Sequence, residues 1–194
     1  MNKIVLVHGI FNSGRVFRKM SKFLNNLGFQ TFAPDLKPSS GSSGLDDLAE
    51  KLEKYVEDNI PAEEKFHLIG FSMGGLVCRY YIQRLDGMMR VNRFISLSTP
   101  HNGSLLAYLL FNNGAKQMRP GSDFLKDLNS DIDKLEQVDI VSIRTPFDLS
   151  IIPSKSSVIS AGENFKVPVL LHPLVARDKR VFKIIENCLV SEKQ

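Results

Sequence analysis

The chain has 194 residues, with 25 Lys and Arg against 21 Asp and Glu, a formal charge of +4, 43% hydrophobic and 24% charged residues. That is the size of one domain with a proper core and the balance of an ordinary soluble globular protein. Nothing reads as a nucleic-acid module, the two cysteines make no disulfide framework, and no run approaches the roughly 18 apolar residues of a membrane span.

Taken in order, strands and helices alternate. A β-branched run predicts a strand at 3–7, ending in His8-Gly9-Ile10-Phe11-Asn12-Ser13-Gly14. A helix follows over 15–27, whose Arg15, Arg18, Lys19 and Lys22 read as a solvated face, and then a strand over 30–34. The Pro-Ser-Ser-Gly-Ser-Ser-Gly segment at 38–44 is flexible by composition and too short for an interdomain linker. Leu45, Leu48, Ala49, Leu52, Tyr55, Val56 and Ile60 form one apolar stripe, so 45–60 predicts a helix that Pro61 stops. Strands are predicted at 66–70, 93–98, 138–144 and 166–171, and further helices at 73–86 and 176–189. Such alternation means a mostly parallel sheet covered on both faces. Cys78 and Cys188 fall on predicted apolar helix faces and read as buried thiols, with a disulfide between them the minor alternative. No signal peptide is visible before the first strand, which makes the expected location cytoplasmic.

The chemistry is concentrated in Gly70-Phe71-Ser72-Met73-Gly74, a Gly-x-Ser-x-Gly motif between a predicted strand and helix. This is the sequence form of a nucleophile elbow, a strained turn that lifts a serine hydroxyl above a sheet. The two glycines are expected to spare the serine backbone a clash with a Cβ. A serine nucleophile needs a base, and the base needs a carboxylate to fix its tautomer. Of the histidines, only His101 and His172 follow Ser72.

These motifs resemble the α/β-hydrolase superfamily, specifically its small bacterial lipases and esterases. The resemblance rests on Val7-His8-Gly9-Ile10, Gly70 to Gly75, Ser98-Thr99-Pro100-His101-Asn102-Gly103, Met118-Arg119-Pro120-Gly121-Ser122 with Phe124-Leu125, and the segment from Asp148 to His172. It implies a three-layer, doubly wound α/β sandwich of about six mostly parallel strands, the family's usual eight less the first two. It implies one domain over 1–194 with a lid-like or pocket-wall insert around 101–137. In that fold the order is Ser, acid, His, which assigns Ser72 as nucleophile, Asp148 as acid and His172 as base. Asp139, at the start of its strand, is the rival acid. The oxyanion donors are the backbone N–H groups of Met73 and of Ile10, or of its neighbour Phe11. His8 and Asp35, preceding the serine, are read as braces. Phe11, His101 and Leu105 are assigned to substrate binding, although most of the Leu105–Phe111 leucines are expected to pack on the sheet.

The implied activity is hydrolysis of carboxylic esters through an acyl-enzyme, with no metal and no organic cofactor, on a small-molecule acyl ester. Acyl transfer or thioester cleavage would use the same triad, and a hydrolase-fold binding protein without turnover is the reading from another class. A serine peptidase is more remote, because the leucine-rich insert favours acyl chains. Neither nucleic acid nor an integral membrane segment is implied, and peripheral contact with lipid is compatible with the basic clusters.

Overall fold

The computed structural model describes residues 2–85 and 87–190. Six parallel strands form one sheet: β1 (Lys3–Val7), β2 (Gln30–Phe32), β3 (Phe66–Phe71), β4 (Val91–Leu97), β5 (Asp139–Arg144) and β6 (Glu163–Lys166), in the spatial order β2-β1-β3-β4-β5-β6. Side chains alternate across a strand, so β1 divides its residues between two cores. Ile4 and Leu6 pack with α1 (Arg18–Asn26) and, further along the chain, with the C-terminal helix over Lys179–Val190. Val5 and Val7 pack on the opposite face with α2 (Leu45–Asn59) and α3 (Met73–Arg84). Every residue of the central β3 is buried, as a strand covered on both faces requires. This is the three-layer architecture expected, with all six strands parallel.

Several boundaries differ for physical reasons. The helix expected from residue 15 begins as a 3₁₀ turn over Gly14–Phe17, and β2 stops at Phe32, just before Pro34, which has no N–H for a ladder. Residue 86, the expected end of α3, lies outside the described residues. The last strand is Glu163–Lys166, not 166–171. Val167 and Val169 are buried as loop residues, and Thr145 clamps that loop: its Oγ1 donates to Val169 O and accepts from Val169 N–H, the latter at 3.2 Å.

Between β4 and β5 the chain forms a 3₁₀ helix at Leu105–Leu109, then α5 (Asn113–Gln117) and α6 (Asp123–Ser130), with α4 (Gly87–Arg90) preceding β4. The C-terminal helix is therefore α7. The expectation that the leucines of Leu105–Phe111 pack on the sheet is wrong. Leu105, Leu109 and Phe111 are 53%, 72% and 82% exposed, and Ala107 alone in the segment is buried.

Candidate active site

All the predicted chemistry sits where open α/β sheets place it, in loops beyond the carboxyl ends of the strands. Ser72 joins β3 to α3 with φ 55° and ψ −127°, a left-handed conformation costly for any side chain, and its N–H donates to Leu97 O at 2.8 Å. The flanking glycines do make room, but not for the serine backbone. A Cβ on Gly74 would lie 2.2 Å from Val7 O, and one on Gly70 would lie 2.5 Å from Gly75 Cα. They let β1 and the first turn of α3 close around the elbow.

The β1 loop is braced from within. His8 is buried; its Nε2 accepts Leu36 N–H at 3.0 Å, so Nδ1 carries the proton and donates to Gly9 O at 2.9 Å. Burial holds its pKa below the usual value. Asp35 Oδ1 accepts Gly14 N–H at 2.7 Å. Of the two candidate donors in this loop, Phe11 N–H is committed to Ser39 O at 2.8 Å. Met73 opens α3, where an N–H has no partner within the helix.

Asp148 and His172 meet across 24 residues. Asp148 Oδ1 accepts the N–H groups of Ser150 and Ile151, each at 2.9 Å, while Oδ2 lies 2.8 Å from His172 Nδ1. Burial alone would raise the Asp148 pKa; the bonds from His172, Ile151 and Ser150 outweigh it and hold the carboxyl below its usual value. The imidazole packs on Phe71 with ring centroids 4.9 Å apart. Pro173 stands in the first turn of the 3₁₀ helix His172–Arg177, a position that needs no N–H. The rival Asp139 is far from this chemistry, paired with Arg93.

Ser72 and His172 share a cavity of about 260 Å³. No hydrogen bond joins the two directly among the described residues. Its apolar wall comes from Leu106, Ala107 and Leu110 of the strap over the site, with Met118 and Ile151. Three assignments are corrected here. His101 is turned inward, 1% exposed, with Nε2 2.9 Å from Ser96 Oγ, and burial, aided by the Arg79 charge, pushes its pKa well below normal. Leu105 and Phe11 point to solvent and do not line the cavity. Leu106 and Leu110 are spaced like Leu105 and Leu109, so periodicity could not choose between the pairs.

The strap is fastened by residues whose role the sequence hid. Ser104 Oγ donates to Ser150 O at 3.0 Å and accepts Ile152 N–H at 3.1 Å, tying the strap to the Asp148 loop. Arg119 donates to Leu110 O at 3.0 Å and to Ala107 O at 3.4 Å, and lies over the Tyr108 ring. Among the described residues, no cluster of His, Cys, Asp or Glu is arranged to hold a metal.

The topology, with its strained serine turn at the head of α3, defines the chain as an α/β-hydrolase. Within that superfamily it belongs to the palmitoyl protein thioesterase family, whose profile matches residues 3–118. It is thus of the thioesterase and lipase type. The lysosomal thioesterase PPT2 of Mus musculus is 36% identical over 104 residues, covering 52% of this chain and 34% of that protein. PPT2 of Homo sapiens is 35% identical over the same coverage. The match thus spans about a third of these relatives' length. By structure the chain is similar to the lipase BlEst2 of Bacillus licheniformis in mature form, with TM-score 0.76, 18% identity and coverage of 97% of this chain and 91% of that one. Lipase B of Aspergillus fumigatus gives TM-score 0.79 at 16% identity, covering 93% and 50%. At such identities the likeness speaks for the fold alone. The family match holds Ile10 and Ser72 but ends before Asp148 and His172, so the reading of those two rests on their geometry.

Proposed function

We propose that this chain is a serine hydrolase that cleaves acyl groups from esters, thioesters included, through Ser72, His172 and Asp148. The observation that carries the reading is the buried Asp148–His172 pair opening onto the cavity that also holds Ser72. His172 Nε2 takes the Ser72 proton as Oγ attacks the acyl carbon, and the N–H groups of Ile10 and Met73 hold the oxyanion. Loss of one such donor typically costs about 3–4 kcal/mol. The C–O or C–S bond then breaks, His172 returns the proton to the leaving alcohol or thiol, and water repeats the cycle on the acyl-enzyme. Asp148 keeps Nδ1 protonated throughout.

The family supports thioesters as substrates, and the apolar wall of Leu106, Leu110 and Met118 supports an acyl chain. The whole of 1–194 serves as one catalytic unit, with the strap as pocket wall. The setting we propose is the cytoplasm, unlike that named for the lysosomal relatives. Fluorophosphonate labelling followed by peptide mass spectrometry tests the core of this. One adduct on Ser72, absent from Ser72→Ala, is expected, together with turnover of acyl thioesters. Undiminished thioester or ester cleavage by folded Ser72→Ala would sink the assignment.

A further inference from the structure

Thirteen large apolar side chains are exposed among the described residues, and ten of them fall in the segments that follow β1, β4, β5 and β6, at the carboxyl edge of the sheet where Ser72 also sits. The strap is apolar on both sides. Leu106 and Leu110 line the cavity, while Leu105, Leu109 and Phe111 stand outward in solvent. A surface segment of an ordinary soluble protein would turn polar residues outward. The rim continues through Phe147 and Leu149, on either side of Asp148, and through Leu170, Leu171 and Leu174, around His172.

A basic shoulder adjoins this rim. Arg15, Arg18, Lys19 and Arg177 surround a cavity of about 450 Å³ with no carboxylate in its wall. Arg177 closes the same 3₁₀ helix that His172 opens, and Arg15 follows Phe11 by four residues, so shoulder and rim share one edge. The nearby carboxylates are engaged: Asp178 pairs with Arg180 and Asp35 caps Gly14 N–H.

We propose that this edge is a docking surface for an anionic lipid bilayer, with the strap and the two apolar loops seated at the acyl-chain boundary and the basic shoulder against the headgroups. Charge decides the occupant. A bilayer of negative headgroups complements the shoulder, whereas a second copy of the chain would bring a like-charged shoulder to the same rim. The inference does not depend on Ser72 being the nucleophile, because it concerns where the protein sits and not what it cleaves.

The test is sedimentation of the full chain, and of its Ser72→Ala variant, with vesicles of phosphatidylcholine alone or mixed with phosphatidylglycerol. Both proteins should bind the mixed vesicles, about tenfold more weakly without the anionic lipid and again at high salt. Leu109→Asp with Phe111→Asp should weaken binding by about tenfold or more, and Arg18→Glu with Lys19→Glu similarly. These side chains are exposed, so unchanged thermal unfolding certifies the fold of each variant. Absence of binding to either vesicle, or equal binding to both, would overturn the proposal. So would a concentration-dependent dimer that Phe111→Asp dissolves, which would assign the rim to a second copy.

Discussion

Ser72 is held at φ 55° and ψ −127°, where only glycine sits without steric cost, so the elbow stores strain that substitution can release. Comparing Ser72→Gly with Ser72→Ala isolates it, since both lose the hydroxyl. A non-glycine residue in such a conformation costs about 1–3 kcal/mol. Against this, glycine loses about 0.5–1 kcal/mol to the greater freedom of its unfolded chain. It also forgoes about 0.8 kcal/mol from one buried carbon, for Ser72 is buried. At the middle of these ranges, Ser72→Gly is about 0.5 kcal/mol more stable than Ser72→Ala. At a relaxed buried site the same comparison would leave glycine about 1.5 kcal/mol less stable. The two outcomes differ by about 2 kcal/mol, or about 4–8 °C in Tm for a chain of this size. Thermal unfolding of both variants by circular dichroism measures the difference. A glycine variant melting several degrees below the alanine variant would refute stored strain at the elbow.

Two further outcomes follow from the buried ionisable groups. Asp148→Asn should leave the fold intact and lower kcat by about four orders of magnitude, because the amide stabilises the wrong imidazole tautomer; an unchanged rate would move the role to another carboxylate. Acid should destabilise the protein well before its carboxylates titrate. Burial, and then the Arg93 charge, lower the His67 pKa from 6.5 to about 4, so below pH 6.5 the unfolded chain binds a proton that the folded chain refuses. The stability present above pH 6.5 is lost as the pH falls toward 4, by about 3 kcal/mol from this residue at 1.36 kcal/mol per pH unit. His101 acts in the same direction, and Asp148 extends the loss below its ordinary 3.8. Urea unfolding between pH 7.5 and 5 should show this decline, reduced in His67→Gln; a flat profile would contradict it.

What could be read from the residues divides by the range of the interactions involved. The stretch through β3, Ser72 and α3 is local, because strand, glycines and helical spacing all lie within about twenty residues, and it folds as read. Asp148 and His172 were legible through their order and their place after late apolar runs, and the structure brings them into contact. The last strand was misplaced because Val167 to Leu171 is more apolar than the true edge strand, whose burial is slight. An edge strand needs only one partner, so its side chains carry little signal. The strap failed for a related reason. Leucines on both of its sides hide which pair meets the cavity, and its fastening by Ser104 and Arg119 spans loops that no periodicity connects.

The way the strap is tied has a consequence for how such a protein can diversify. Its front end is held by Ser104 and its far end by Gly114 N–H on Gly41 O at 2.8 Å, with Asn112 Nδ2 donating to Ser40 O at 3.0 Å. Between these ties, residues 105–111 contribute only Ala107 to the two cores on either face of the sheet. Within the segment, Leu105 N–H donates to Ile152 O at 2.8 Å and Arg119 holds the carbonyls of Ala107 and Leu110. Insertions there would reshape the cavity wall without disturbing the register of any strand, because the segment pairs with none. Exchange of a few strap residues would therefore change the shape of the cavity wall while the elbow and the carboxylate–imidazole pair stayed untouched.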